Sequence, residues 1–267
     1  MRARLVWALV IALLLGGGAG ATAGAAAPAY AYTFETHAAF FSAETKQPAV
    51  VDPQVFVAAA AVPAATGPQN IVHAAGYRPA RPGSDPATAP LFSARGRPLN
   101  LTLGAWLGAA GRGTTTCAGD TATVRARFTG LIPGGLYQLT RLQFTVRGPQ
   151  RTPLGQPDGA GSTFTAAPDG IGTFTGRLPF CPDATEGVVL AYHSDGTTHG
   201  AALGDIGVNL HNQLAARIAA TPGLPNTGAG GAAGGVAPRP AIPFGLAVAG
   251  LLLLALVARR PPRRRRA

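Results

Sequence analysis

From about Leu99 to Ile218 the chain alternates apolar and polar residues with a period of two. That period commits a segment to extended strands, because successive side chains on a strand point to opposite faces. In Val124-Arg125-Ala126-Arg127-Phe128 one face is apolar and the other carries the arginines. Leu142, Phe144 and Val146 alternate with Arg141, Gln143, Thr145 and Arg147. After Gly170, Phe174 and Leu178 alternate with Thr173, Thr175 and Arg177. Val188, Leu190 and Tyr192 form another inner face. Val208, Leu210, Leu214 and Ile218 fit a last strand, with helix as the other option there. Turn signals separate these runs at Ile132-Pro133-Gly134-Gly135, Pro157-Asp158-Gly159, Pro168-Asp169-Gly170 and Ser194-Asp195-Gly196. The pattern predicts an all-β, antiparallel sandwich or barrel-like domain. It leaves room for at most one short helix, over Thr102 to Ala109, where Leu103, Trp106 and Leu107 share helical spacing and Thr102 supplies a cap.

The stretch from 32 to 98 is less regular. Thr33 to Phe41 and Gln54 to Val57 each suit a strand, and prolines 79, 82, 86 and 90 make Tyr77 to Pro90 an irregular wrap. No fixed-period repeat argues for a solenoid or tandem array. With 37 Gly, 24 Pro and only 12% charged residues, the chain is neither a charged disordered polymer nor a coiled coil, and it is unlike an ordinary cytosolic enzyme.

The formal charge of +11 is concentrated at the ends. Arg2 and Arg4 precede the apolar run Leu5 to Leu15, small residues follow, and Ala29-Tyr30-Ala31 offers an A-x-A site. A basic n-region, a short h-region and that site predict a signal peptide over 1–31. Ala25-Ala26-Ala27 also fits, but cleavage there places Pro28 directly after the cut, so cleavage after Ala31 is preferred. At the other end, residues 219–240 are rich in Ala, Gly and Pro and read as a stalk. An apolar run at 241–258 predicts a transmembrane helix, and 259–267 is a basic cytoplasmic tail. The run rises about 27 Å, enough to cross most of a hydrocarbon core. The arginines hold to the cytoplasmic side. Without the terminal clusters the middle is nearly neutral, so nucleic acid is not an expected partner.

Leu224-Pro225-Asn226-Thr227-Gly228 precedes that run. Pentapeptide, apolar segment and arginines, in that order, resemble the LPxTG cell-wall sorting signal of monoderm bacteria. The resemblance covers roughly the last 45 residues. It implies that a sortase cysteine attacks the Thr227–Gly228 carbonyl and that an amine of a peptidoglycan precursor releases the acyl-enzyme. Thr227 then becomes the wall attachment point, and the chain is the substrate of that chemistry. The expected location is the cell wall and cell surface, with membrane anchoring before sorting.

Cys117 and Cys181 are the only cysteines and lie in the exported part, which predicts a structural disulfide. The remaining chemistry-bearing cluster is Tyr192-His193-Ser194-Asp195-Gly196-Thr197-Thr198-His199, followed by Asp205 and His211. His193 and Asp195 share a strand parity, and His211 lies on the next strand. These three form a candidate zinc or copper set. Their spacing matches no zinc signature, and the paired H-x-H of copper-zinc dismutases is absent. There is no G-x-S-x-G elbow and no acidic pair in a glycosidase context. Arg125, Arg127, Arg141 and Arg147 suggest a basic stripe for anionic polymers, with a solvated sheet face as the favoured alternative. The expectation is a non-catalytic, cofactor-free adhesion or ligand-binding module with an unidentified extracellular ligand. Its rival is a metal-binding protein or metal-dependent enzyme built on His193, Asp195 and His211.

Overall fold

The computed structural model describes residues 29–218, except 147, 157 and 183–185. Most of the expected signal peptide, the stalk, the sorting pentapeptide Leu224–Gly228, the apolar run 241–258 and the basic tail lie outside the described residues. Among the described residues no helix is long and apolar enough to cross a membrane.

Strand β1 (Ala29–Thr36) runs directly into helix α1 (His37–Glu44). The irregular third then builds β2 (Asp52–Ala58), the short pair β3 (Ala65–Thr66) and β4 (Val72–His73), β5 (Tyr77–Ala80), β6 (Pro90–Phe92) and β7 (Pro98–Thr102). Helix α2 (Leu103–Leu107) leads into the long strands β8 (Ala110–Ala118), β9 (Thr121–Thr129) and β10 (Leu136–Thr145). The remainder is β11 (Gly148–Pro153), β12 (Thr163–Thr165), β13 (Gly172–Leu178), β14 (Glu186–His193) and β15 (Leu210–Arg217).

The fold is all-β and antiparallel, as the alternation predicts. Nine strands make one sheet in the order β11-β10-β14-β15-β1-β8-β9-β13, with β12 added to β10. This sheet curls around a core that includes Phe34, Val124, Phe128, Tyr137, Leu139, Phe174, Leu190 and Leu214. Phe164 of β12 stacks on Phe128 of β9 and on Tyr137 of β10, with ring centroids 5.9 and 5.8 Å apart, which draws the two flanks of the sheet together. Cys117, at the end of β8, is bonded to Cys181 beyond β13, as expected, with Cα atoms 5.4 Å apart. Closing a loop of 64 residues stabilises by about 4 kcal/mol in the chain-entropy model.

The irregular third forms its own sheet, β5-β2-β6-β7, over Val55, Val57, Leu91, Leu99, Leu103 and Trp106. Helix α2 contributes two of these side chains and begins where expected, with Thr102 Oγ1 accepting the Ala105 N–H at 3.3 Å. Between α2 and β2, Trp106 Nε1 donates to Asp52 at 2.9 Å. The two sheets are joined by polar contacts: Gln213 Nε2 donates to the Trp106 carbonyl at 2.9 Å, and Gln54 Oε1 accepts the Asn212 N–H at 2.6 Å.

Three details differ from the sequence reading. β1 is paired from Ala29 onward, opposite Thr116, so the ordered strand begins three residues ahead of the boundary expected at 32. Residues 37–41 are helical rather than extended, with Thr36 Oγ1 accepting the Ala39 N–H as cap and alanines favouring the turn. Finally, Leu142 and Phe144 face away from the curled core and pack with Phe40, Val189 and Ala215 beneath α1. Helix α1 thereby buries the second face of β14, whose residues are buried on both sides.

Candidate functional site

His193 ends β14 and pairs with Leu136 on one side and Leu210 on the other. The chain then turns sharply at Ser194-Asp195-Gly196, where Asp195 Oδ1 accepts the Thr197 N–H at 3.1 Å and Gly196 takes φ +67°. The turn carries His199 back so that its Nε2 lies 2.9 Å from Asp195 Oδ2, and its ring stacks against that of His193 with centroids 5.8 Å apart. Asn209 Nδ2 donates to the same Asp195 oxygen at 3.0 Å. His193, Asp195 and His199 each present one ligand atom, all within 4.8 Å of one another.

The tautomer of His193 follows from its neighbours. Gln138 Oε1, an acceptor, lies 3.0 Å from His193 Nε2, so Nε2 carries the proton. Gln138 is itself held by donating to Ser162 Oγ at 2.9 Å, and Ser162 donates to the Gly159 carbonyl at 2.6 Å. This leaves His193 Nδ1 as a bare lone pair, buried and without a hydrogen-bond partner. A side-chain carbonyl that fixes one ring nitrogen and leaves the other free is an arrangement that orients metal-ligating histidines. Burial, then the neighbouring His199, pushes the His193 pKa down to about 4, so the ring is neutral and able to ligate at pH 7. Burial alone would raise Asp195, but the Thr197 N–H, His199 and Asn209 together bring it below the usual carboxylate range.

His211 does not join this group. It sits opposite Tyr192, not His193, in the β14–β15 register, so it faces the other side of the sheet. Both ring nitrogens are engaged: Nδ1 donates to the Gln54 carbonyl at 2.9 Å, and Nε2 accepts from Ser194 Oγ at 3.1 Å. It is a buried link between the two sheets, and burial lowers its pKa to about 4. His199 takes its place in the cluster. The signal for His199 was its spacing of four residues from Asp195 across a turn; strand parity does not carry through such a turn.

The basic stripe is likewise rearranged. Arg125 and Arg127 are exposed on β9, and Arg112 of β8 stands opposite Arg127. Arg141 instead pairs with Glu186 and lies over the Phe180 ring at 4.0 Å. Residue 147 lies outside the described residues.

The fold and these clusters define a disulfide-bonded, curled antiparallel β domain with a three-residue His/Asp centre. Comparison with protein-family models, with curated proteins and with solved structures gave no match.

Proposed function

We propose that the chain is an exported surface protein, attached covalently to the cell wall by sortase cleavage between Thr227 and Gly228, and that its β domain is a non-catalytic adhesion or ligand-binding module. The observation that carries this reading is the order of Leu224-Pro225-Asn226-Thr227-Gly228, the apolar run 241–258 and the arginines beyond it. The Cys117–Cys181 bond supports it, since such bonds persist in oxidising compartments. The partners are then a sortase, a peptidoglycan precursor and, before sorting, the membrane. Thr227→Ala replaces the residue whose carbonyl is transferred to the sortase cysteine, and the expected result is complete loss of wall-linked protein after boiling in detergent. Mutant protein still linked to purified wall would overturn the assignment.

A second reading is favoured by one observation, the grouping of His193, whose buried Nδ1 has no hydrogen-bond partner, with Asp195 and His199. Two imidazoles and a carboxylate suit zinc or copper and leave further coordination positions to water. The protein purified without chelator is then expected to bind one equivalent of zinc, and His193→Ala or His199→Ala to lower the affinity by at least about tenfold. His211→Asn is expected to leave affinity unchanged. Equal loss in all three variants would mean that the ion, if bound, is held elsewhere.

A further inference from the structure

A second site lies on the α1-covered face of the curled sheet, the face of β14 that also carries His193, between α1, β10, β11 and β15, around a pocket of about 420 Å³. That volume lies within the range of small-molecule sites. Its apolar wall is Phe40, Leu142, Phe144 and Val189. Three of the residues that line it, from three different elements, each carry a buried polar atom without a hydrogen-bond partner: His37 Nδ1, Arg151 Nη1 and Asn212 Oδ1. Buried polar atoms are almost always satisfied, and three exceptions around one cavity need a physical cause.

The charge in the pocket is unbalanced. Glu44 lines it too, but Arg217 holds both Glu44 oxygens, at 2.8 and 2.6 Å. Arg151 spends Nε and Nη2 on the neutral Thr140 hydroxyl, at 3.4 and 3.2 Å, and no described ion pair involves it. Burial pushes its pKa down to about 10, still cationic at neutral pH, whereas burial and then Arg151 push His37 down to about 3. The His37 ring is therefore neutral. Asn212 Nδ2, a donor, approaches His37 Nε2 at 3.3 Å, which places the ring proton on the unpartnered Nδ1. The residues that line the pocket thus hold two unpaired donors, one of them charged, and one unpaired acceptor, beside an aromatic and aliphatic wall.

We propose that this pocket binds a small carboxylic acid whose carboxylate accepts from Arg151 and His37, whose adjoining hydroxyl or amide N–H donates to Asn212, and whose apolar body lies against Phe40 and Phe144. A guanidinium–carboxylate contact explains the uncompensated arginine, and the third group explains the leftover acceptor. The site is independent of wall attachment, so Thr227→Ala leaves it intact.

The test uses the full-length chain in lipid nanodiscs, with empty nanodiscs as blank, and ligand-observed fluorine NMR of para-fluorophenyllactate and its methyl ester. Saturable binding of the acid is expected, with the ester at least about tenfold weaker because it cannot pair with Arg151. Arg151→Gln is expected to weaken the acid about tenfold and to leave the ester unchanged. Asn212→Leu should weaken phenyllactate more than the des-hydroxy phenylpropionate. Equal binding of acid and ester, or no saturable binding of the acid at millimolar concentration, overturns the proposal. The acid–ester contrast is read on the unmodified chain, so the test stands even where a variant fails to fold.

Discussion

At the scale of single residues, backbone geometry separates positions that share an amino acid. Gly130 follows β9 with φ +66°, and a Cβ there would lie 2.3 Å from the Gly108 carbonyl oxygen. Gly119, in the β8–β9 hairpin, has φ +58°, but a Cβ would meet nothing within 4 Å. Both alanine substitutions incur left-handed strain, while only the first forces backbone apart. Gly130→Ala is expected to cost about 2–4 kcal/mol and Gly119→Ala about 1 kcal/mol. Chemical denaturation of the two variants checks this, and equal losses would refute the role given to the Gly108 contact. Residue identity alone was also not enough to place His211. A histidine on the strand after His193 can face either side, and only the register, which sets it opposite Tyr192, decides.

Among the elements, the long strands were legible because one face of each had to be apolar, and α2 was legible from its Thr102 cap. Helix α1 was not, since Thr33 to Phe41 offers apolar residues at both strand and helix spacings, and the choice falls to the sheet face that Phe40 covers. That hidden cover also explains β10, where Leu142 and Phe144 are apolar for the sake of α1 and Tyr137 and Leu139 for the core. The β14–β15 register shift between Leu190 and Ala191 brings Asn212 and Gln213, adjacent in sequence, to different partners: Asn212 to His37 and Gln213 to Tyr137 and Trp106. No sequence pattern announces such a shift, so the Arg151 pocket could not be read from composition or spacing.

Strand β1 makes a prediction of its own about processing. Its first three residues, Ala29, Tyr30 and Ala31, pair with Thr116, Thr115 and Thr114. Cleavage after Ala31 would remove half of the β1–β8 ladder. Small-residue sites lie upstream, Ala21-Thr22-Ala23 among them, with Gly24 following. Amino-terminal sequencing of the exported protein is expected to find a start before Ala29, and a mature chain beginning at Tyr32 would contradict it.

For the molecule as a whole, the interior holds three histidines neutral. His37, His193 and His211 have pKa values lowered to about 3, 4 and 4 from an ordinary 6.5, burial being the largest cause in each. Their contribution to stability is complete above pH 6.5 and is lost as the pH falls toward 4. Asp52 acts in the opposite sense: burial, outweighing its hydrogen bonds from Gln54, Trp106 and Val55, raises it from 3.8 to about 6, so its contribution returns on acidification. Three protons taken up by the unfolded chain against one taken up by the folded chain leave a net of two, a slope of about 2.7 kcal/mol per pH unit. The denaturation midpoint is therefore expected to drop steeply from pH 7 to pH 5. A midpoint that holds or rises over that interval would refute the assignment of these groups.

The position of β15 has a mechanical consequence. The strand ends at Arg217, and it is bonded to β14 over seven register pairs and to β1 at Glu35 and Thr36. A tension applied to the chain beyond residue 218, against a grip at the far end of the sheet, is directed along the strand axis. Antiparallel bonds lie across that axis, so they share the load and must fail together instead of opening one by one. A tether at this end meets the domain in shear, the direction in which a sheet yields least.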